Sequence, residues 1–180
     1  MASSRRVAAM ALVLALSGAA ATPAGADATT EGRRAFSAGE YDRAAALLRA
    51  AVEKDAGDAS LHYWLARSLY ELGQYDQAAQ SAERAVALAP DRSEYHQWLG
   101  RALGRRAERA GGLSGFGLAK KVRAEFETAV RLDPHNVQAQ RDLIEFYGDA
   151  PGLVGGGGDK ALRQVEALAA VDPVEALKAE

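Results

Sequence analysis

Few residues in this chain have the types and spacing needed for bond-making chemistry. There is no cysteine, and the imidazoles are confined to His62, His96 and His135. No serine or carboxylate stands with a histidine at a spacing that suggests a catalytic pair. The run Gly155 to Gly158, followed by Asp159-Lys160, invites comparison with a phosphate-binding loop. However, no apolar strand precedes it, Asp159 interrupts the Gly-Lys pair, and Ala161 stands where Ser or Thr would hold magnesium. What does recur is recognition chemistry. A shift of 34 residues lays LHYWLARSL (61–69) over YHQWLGRAL (95–103), matching His62 with His96, Trp64 with Trp98, and Arg67 with Arg101. Tryptophan and arginine dominate binding hot spots, and a guanidinium offers a carboxylate a planar pair of donors. The expected chemistry is non-covalent, with no cofactor and no metal.

The elements that must position these residues follow the same period. Residues 59–90 read as two amphipathic helices broken at Gly73 and closed by Pro90. A preceding unit, 28–58, carries Gly32, the turn Gly39-Glu40-Tyr41-Asp42, then Ala44, Leu48 and Ala51. These answer to Ala66, Gly73, Tyr75, Asp76, Ala78, Ala82 and Ala85 one repeat later. The small residues let two helices approach while larger ones fill the gaps between ridges. Asp58 is the expected N-cap of the helix that follows. A third unit, 93–136, is ten residues longer, because Phe126, Ala129 and Pro134 align with Ala82, Ala85 and Pro90 at a spacing of 44. The simplest account lengthens both of its helices and joins them through a glycine-rich tip, Gly111 to Gly117. That tip would present Leu113 and Phe116 as a second surface, flanked by a basic hairpin from Arg105 to Arg123. A fourth unit, 137–173, is interrupted by GDAPGLVGGGGDK (148–160), a loop by composition. Asp172-Pro173 then opens a short C-terminal helix, 173–180, with Asp as N-cap and Pro in the first turn.

Paired helices at a 34-residue period, with turn glycines, small residues and closing prolines in register, resemble the tetratricopeptide repeat. The resemblance covers about residues 28–173. It implies an all-α solenoid of about four helix hairpins, the third lengthened, whose first helices line a concave groove for a peptide or partner helix. Carried over position by position, it assigns groove-facing roles to Arg33, Arg67 and Arg101, to Trp64 and Trp98, to Tyr63, Gln97 and Arg141, and to Phe36 and Tyr70. The arginines would form a ladder with rungs about 8–10 Å apart, suited to an extended or helical acidic ligand. The competing reading is that they neutralise nearby carboxylates or cover helix packing with their stems. The lysine and asparagine positions of the family's carboxylate clamp hold Thr29, Arg33, Trp64, Glu94 and Trp98, so that specific function is not implied. Residues 140–161, including FYGDAPGLVGGGGDKA, also resemble a variant fourth repeat of exported bacterial tetratricopeptide proteins. His62 and His96 fall one helix spacing apart in this arrangement, too far for the ligand bonds of about 2 Å of a shared zinc. They read as packing residues.

The N-terminus adds a location. Arg5 and Arg6 precede the uncharged apolar run Val7 to Leu16, and small residues lead to Ala24-Gly25-Ala26, the pattern of a secretory signal peptide cut after Ala26. The apolar run falls short of the roughly 20 residues a spanning helix needs, so no transmembrane segment is expected after cleavage. Beyond residue 26, 20 basic side chains face 24 acidic ones, a net charge of −4. That balance argues against nucleic acid as the partner. The sequence therefore reads as an exported, periplasmic or secreted, non-catalytic protein-interaction scaffold, residues 27–180. The alternative is a structural self-association or envelope-surface protein that works through the 111–117 tip and its C-terminal end.

Overall fold

The computed structural model describes residues 24–178, and these are all-helical. The proposed leader, 1–26, lies outside the described residues except for Ala24 to Ala26, which open the first helix. In chain order the helices are α1 (Ala24–Ser37), α2 (Tyr41–Lys54), α3 (Ala59–Glu71), α4 (Tyr75–Leu88), α5 (Ser93–Ala110), α6 (Gly112–Leu132), α7 (Val137–Asp149), α8 (Gly158–Val171) and α9 (Pro173–Ala176). A 3-10 turn at Gly152–Val154 sits between α7 and α8.

Each odd helix packs antiparallel against the even helix that follows, from α1 with α2 to α7 with α8. The turns explain the reversals. Gly39 and Gly73 take φ of 77° and 70°, a left-handed conformation that costs glycine nothing. Across them the Glu40 N–H donates to Ala35 O at 3.0 Å and the Gln74 N–H to Leu69 O at 2.9 Å, satisfying carbonyls that a helix end leaves open. Tyr41 and Tyr75 fold back onto the inner helices, against Phe36 and Tyr70, with ring centroids 5.3 and 5.2 Å apart. Asp58 caps α3, accepting from the Ser60 and Leu61 N–H groups, and Asp172 caps α9 in the same way.

The hairpins stack with a curvature that their contacts define. α1 touches α3, α3 touches α5 and α5 touches α7, whereas no comparable contact joins α2 with α4, α4 with α6 or α6 with α8. The first helices therefore form the inner, concave layer and the second helices splay on the outside. Within each hairpin one small residue meets one variable partner. A Cβ on Gly32 would lie 2.6 Å from Leu48, and one on Gly100 would lie 2.5 Å from Phe126. The middle repeat has Ala66 and Ala82 at these positions, both buried.

A side-chain latch ties each inner helix to the connection before it. His62 Nε2 bonds Ala56 O at 3.1 Å, His96 Nε2 bonds Pro90 O at 2.9 Å, and Gln140 Nε2 donates to Pro134 O. All three sit at the same repeat position, so these histidines serve packing between repeats. His96 also meets Glu125 of α6 through Nδ1 at 2.6 Å, while His135 is exposed.

One expectation is corrected here. The glycine-rich tip is helix rather than loop: α5 ends at Ala110 and α6 begins at Gly112, so Gly111 and Gly112, with φ of 59° and 49°, make the reversal. Gly115 permits this because a Cβ there would stand 2.9 Å from Ala107 O, so the two helices cross almost in backbone contact.

Candidate functional site

The concave layer carries a continuous stack of alternating cations and indoles. The Arg33 guanidinium carbon lies 5.0 Å from the Trp64 ring, Arg67 lies 4.3 Å from Trp64 and 4.8 Å from Trp98, and Arg101 lies 4.9 Å from Trp98. Because each arginine of one repeat meets the tryptophan of the next, the 34-residue period produces the order Arg33, Trp64, Arg67, Trp98, Arg101. Phe36 and Tyr63 complete the cage around Arg67 at 4.6 and 5.5 Å. Tyr70 meets Trp98 edge-on at 5.5 Å.

The three arginines, equivalent in sequence, have unlike environments. Arg101 is held by Asp142 of α7 through Nε at 2.7 Å and Nη2 at 2.9 Å, and Gln97 Nε2 donates to the same carboxylate at 2.8 Å. Arg67 donates Nη1–H to Tyr63 Oη at 3.2 Å, while its Nε is buried with no hydrogen-bond partner. Burial pushes the Tyr63 phenol above its ordinary pKa, against the opposing pull of Arg67, so it stays a neutral acceptor. Arg33 is exposed, and neither it nor Arg67 forms an ion pair among the described residues. The expected ladder of free rungs is thus an interleaved stack, neutralised at its α5 end. Arg141 stands apart from it and pairs with Glu175 of α9 at 3.2 Å.

Sequence reasoning missed a cavity of about 710 Å³ beside this stack. It lies between the overhanging half of the α5–α6 hairpin and α7 with the turn after it. Phe116, Val122, Phe126, Phe146 and Val154 supply its apolar lining, and Trp98 and Arg101 belong to both cavity and stack. Both residues expected at the tip are exposed, Leu113 at 87 % and Phe116 at 37 %, and Phe116 also lines the cavity. The ten extra residues of the third repeat signalled this feature, since a longer hairpin must overhang its neighbour. Nothing in them said what the overhang would face.

The glycine run follows directly on Val154, the last residue of this turn that lines the cavity. Gly155 has φ of 97°, and a Cβ there would overlap the Arg123 guanidinium. Gly156 packs as closely against the Ala150 carbonyl. Val154 is consequently 1 % exposed, and Lys160 Nζ donates to Gly155 O at 2.8 Å. Nearby, Tyr147 Oη donates to Glu127 Oε1 at 2.8 Å, and burial together with that bond pushes the phenol up to about 12. The run is an inter-helix seat with no phosphate-loop geometry around it.

A curved stack of helix hairpins with a decorated concave face defines a helical-hairpin solenoid. Residues 35–102 match the family model of the tetratricopeptide repeat. No curated protein matches the sequence. Among solved structures, TTC0263, a thermophilic TPR protein of Thermus thermophilus, is similar at 23 % identity and a TM-score of 0.69, over 83 % of this chain and 75 % of that one. MamA 41-end from Desulfovibrio magneticus RS-1 is similar at 18 % identity and 0.65, over 83 % and 76 %. The second TPR domain of human RPAP3, solved with the HSP70 peptide SGPTIEEVD, is similar at 22 % and 0.58, over 69 % and 97 %. At these identities the likeness shows the fold, whose members commonly mediate protein–protein interaction. No described helix is long and apolar enough to cross a membrane.

Proposed function

We propose that this chain is a non-catalytic scaffold of the cell envelope, exported by its N-terminal leader, that binds a protein segment along the concave face of α1, α3 and α5. The observation that carries this reading is the cation–indole stack. Arg33 and Arg67 have their faces occupied by rings, which fixes the guanidinium planes, while no carboxylate of the described chain neutralises them. A preorganised, unneutralised guanidinium suits an acidic contact, because little rotamer freedom remains to be lost on binding. The solved RPAP3 domains hold peptides ending in Glu-Glu-Val-Asp, and an acidic segment is the partner chemistry expected here over α1 and α3.

The test is recovery of partners from an envelope extract by the parent protein and by an Arg33→Glu variant, at low and high salt. Arg33 is exposed, so the substitution leaves the fold intact by circular dichroism. A partner held by the parent, released by the variant and weakened by salt supports the reading. Equal retention by both refutes it and turns attention to self-association through the exposed Leu162, Val174 and Leu177 of α8 and the C-terminal turn. The location is tested by fractionation and by the mass of the exported form, which cleavage after Ala26 sets.

A further inference from the structure

The cavity under the α5–α6 overhang differs from the rest of the groove in charge, and that difference specifies an occupant. Five carboxylates line it, Glu71, Glu108, Asp142, Glu145 and Asp149, against two guanidiniums, Arg101 and Arg105. Both guanidiniums are already matched, Arg101 to Asp142 at 2.7 Å and Arg105 to Glu108 at 2.6 Å. Glu71, Glu145 and Asp149 remain, all exposed at the rim and in no ion pair among the described residues. The walls below them are aromatic and aliphatic, and the volume lies within the roughly 300–1,000 Å³ of ligand pockets.

We infer that this cavity is a specificity pocket for a peptide segment that places a bulky apolar side chain next to a lysine or arginine. The apolar side chain packs among Phe116, Phe126, Phe146 and Val154, and the cation sits against Glu71, Glu145 and Asp149. A peptide is favoured because Trp98 and Arg101 line both the cavity and the stack, so one extended chain along the groove reaches both. The inference rests on the groove-binding reading above and gives the ligand a direction. Its acidic portion lies over α1 and α3, and its apolar-basic portion enters beside α5 and α7.

Two variants alter the pocket at positions that contribute no side chain to the stack. A Cβ on Gly104, which lines the cavity from α5, meets nothing within 4 Å, so Gly104→Phe fills the space without a clash at its root. The triple variant Glu71→Lys, Glu145→Lys, Asp149→Lys reverses the rim at exposed positions. The probe is a random-peptide display library selected on the purified protein, followed by fluorescence anisotropy of the enriched peptides. The expected result is enrichment of sequences with an aromatic or aliphatic residue beside Lys or Arg, bound at least about tenfold more weakly by each variant. Apolar-basic peptides that bind both variants as well as the parent would overturn the pocket. Enrichment of acidic peptides alone, lost with Arg33→Glu but indifferent to both cavity variants, would overturn it while leaving the groove reading in place. Absence of any enrichment would overturn both.

Discussion

Gly100→Ala and Gly104→Ala make the same chemical change one turn apart on α5, and the structure assigns them opposite consequences. Each removes a glycine from a helix interior, a gain of about 1 kcal/mol from the backbone alone. At position 104 the new methyl meets nothing within 4 Å, so the gain is realised. At position 100 it would stand 2.5 Å from Phe126 Cε1 and 2.6 Å from Cδ1, about 1 Å inside the contact distance of roughly 3.5–4.0 Å between carbons. Phe126 is itself buried, so its ring can yield only by displacing neighbours, an overpacking cost of about 1–3 kcal/mol. Gly104→Ala should therefore stabilise by about 1 kcal/mol, while Gly100→Ala should fall about 1–3 kcal/mol below it. Urea unfolding followed by far-UV circular dichroism measures both. In a Phe126→Leu background the gap should close to within about 0.5 kcal/mol, the limit expected of uncoupled sites. Equal stability of the two single variants would refute the argument. So would a gap that Phe126→Leu leaves unchanged, because the small residue would then owe nothing to the close approach.

The other expectations follow from single contacts. His96 is held charged by the Glu125 carboxylate and also bonds Pro90 O, against the opposing effects of its burial and of Arg131, so its folded pKa lies above the ordinary value. That stabilisation is fully present below about pH 6.5 and is lost as pH rises through the raised folded value. The melting temperature should accordingly fall between pH 6 and pH 8, and Glu125→Gln should flatten the fall. Gly155→Ala combines a φ of 97° with overlap on Arg123. It should cost about 1–3 kcal/mol and speed hydrogen exchange at positions 154 and 155 before it affects α3 or α4. Arg101→Ala strips two donors from Asp142, leaving it Gln97, and should destabilise by about 1–3 kcal/mol. Arg33→Ala, at an exposed position, should stay within about 0.5 kcal/mol of the parent. Chemical denaturation of both variants under one condition checks the contrast.

How much of this was legible in the sequence depends on the range of the signal. Gly39 and Gly73 announced their turns because a positive φ is a local demand, and Asp58 and Asp172 announced their caps for the same reason. The 34-residue match of Trp64 and Arg67 with Trp98 and Arg101 placed all four on one layer, since a repeat converts spacing into stacking. Interleaving was not legible, because it depends on which way each side chain leans across the gap between α1, α3 and α5. Nor was the fate of Arg101, whose partner Asp142 lies 41 residues away in a repeat of different length. The tip was misread for a related reason. Four glycines between residues 111 and 117 look like a loop by composition, yet Gly115 is required by the approach of Ala107 O, a contact that exists only once the hairpin has closed.

The divergence of equivalent positions gives the groove a polarity that a perfect repeat would lack. Identical repeats offer identical rungs, and a ligand could then slide by one repeat with no change in contacts. Here Arg33 is open to solvent, Arg67 is caged by four rings, and Arg101 is consumed by Asp142, so the cationic character fades from α1 towards α5. Beyond α5 the ten extra residues of the third hairpin raise an apolar wall, and Glu145 and Asp149 of α7, with Glu71 at the very end of α3, reverse the sign of the rim. A shift of one repeat would carry an acidic segment onto Asp142 and the unpaired Glu145, and like-charge contacts of that kind discriminate strongly between registers. On the proposed groove-binding reading, the same insertion that breaks the period also breaks the translational symmetry of binding and favours one register and one chain direction.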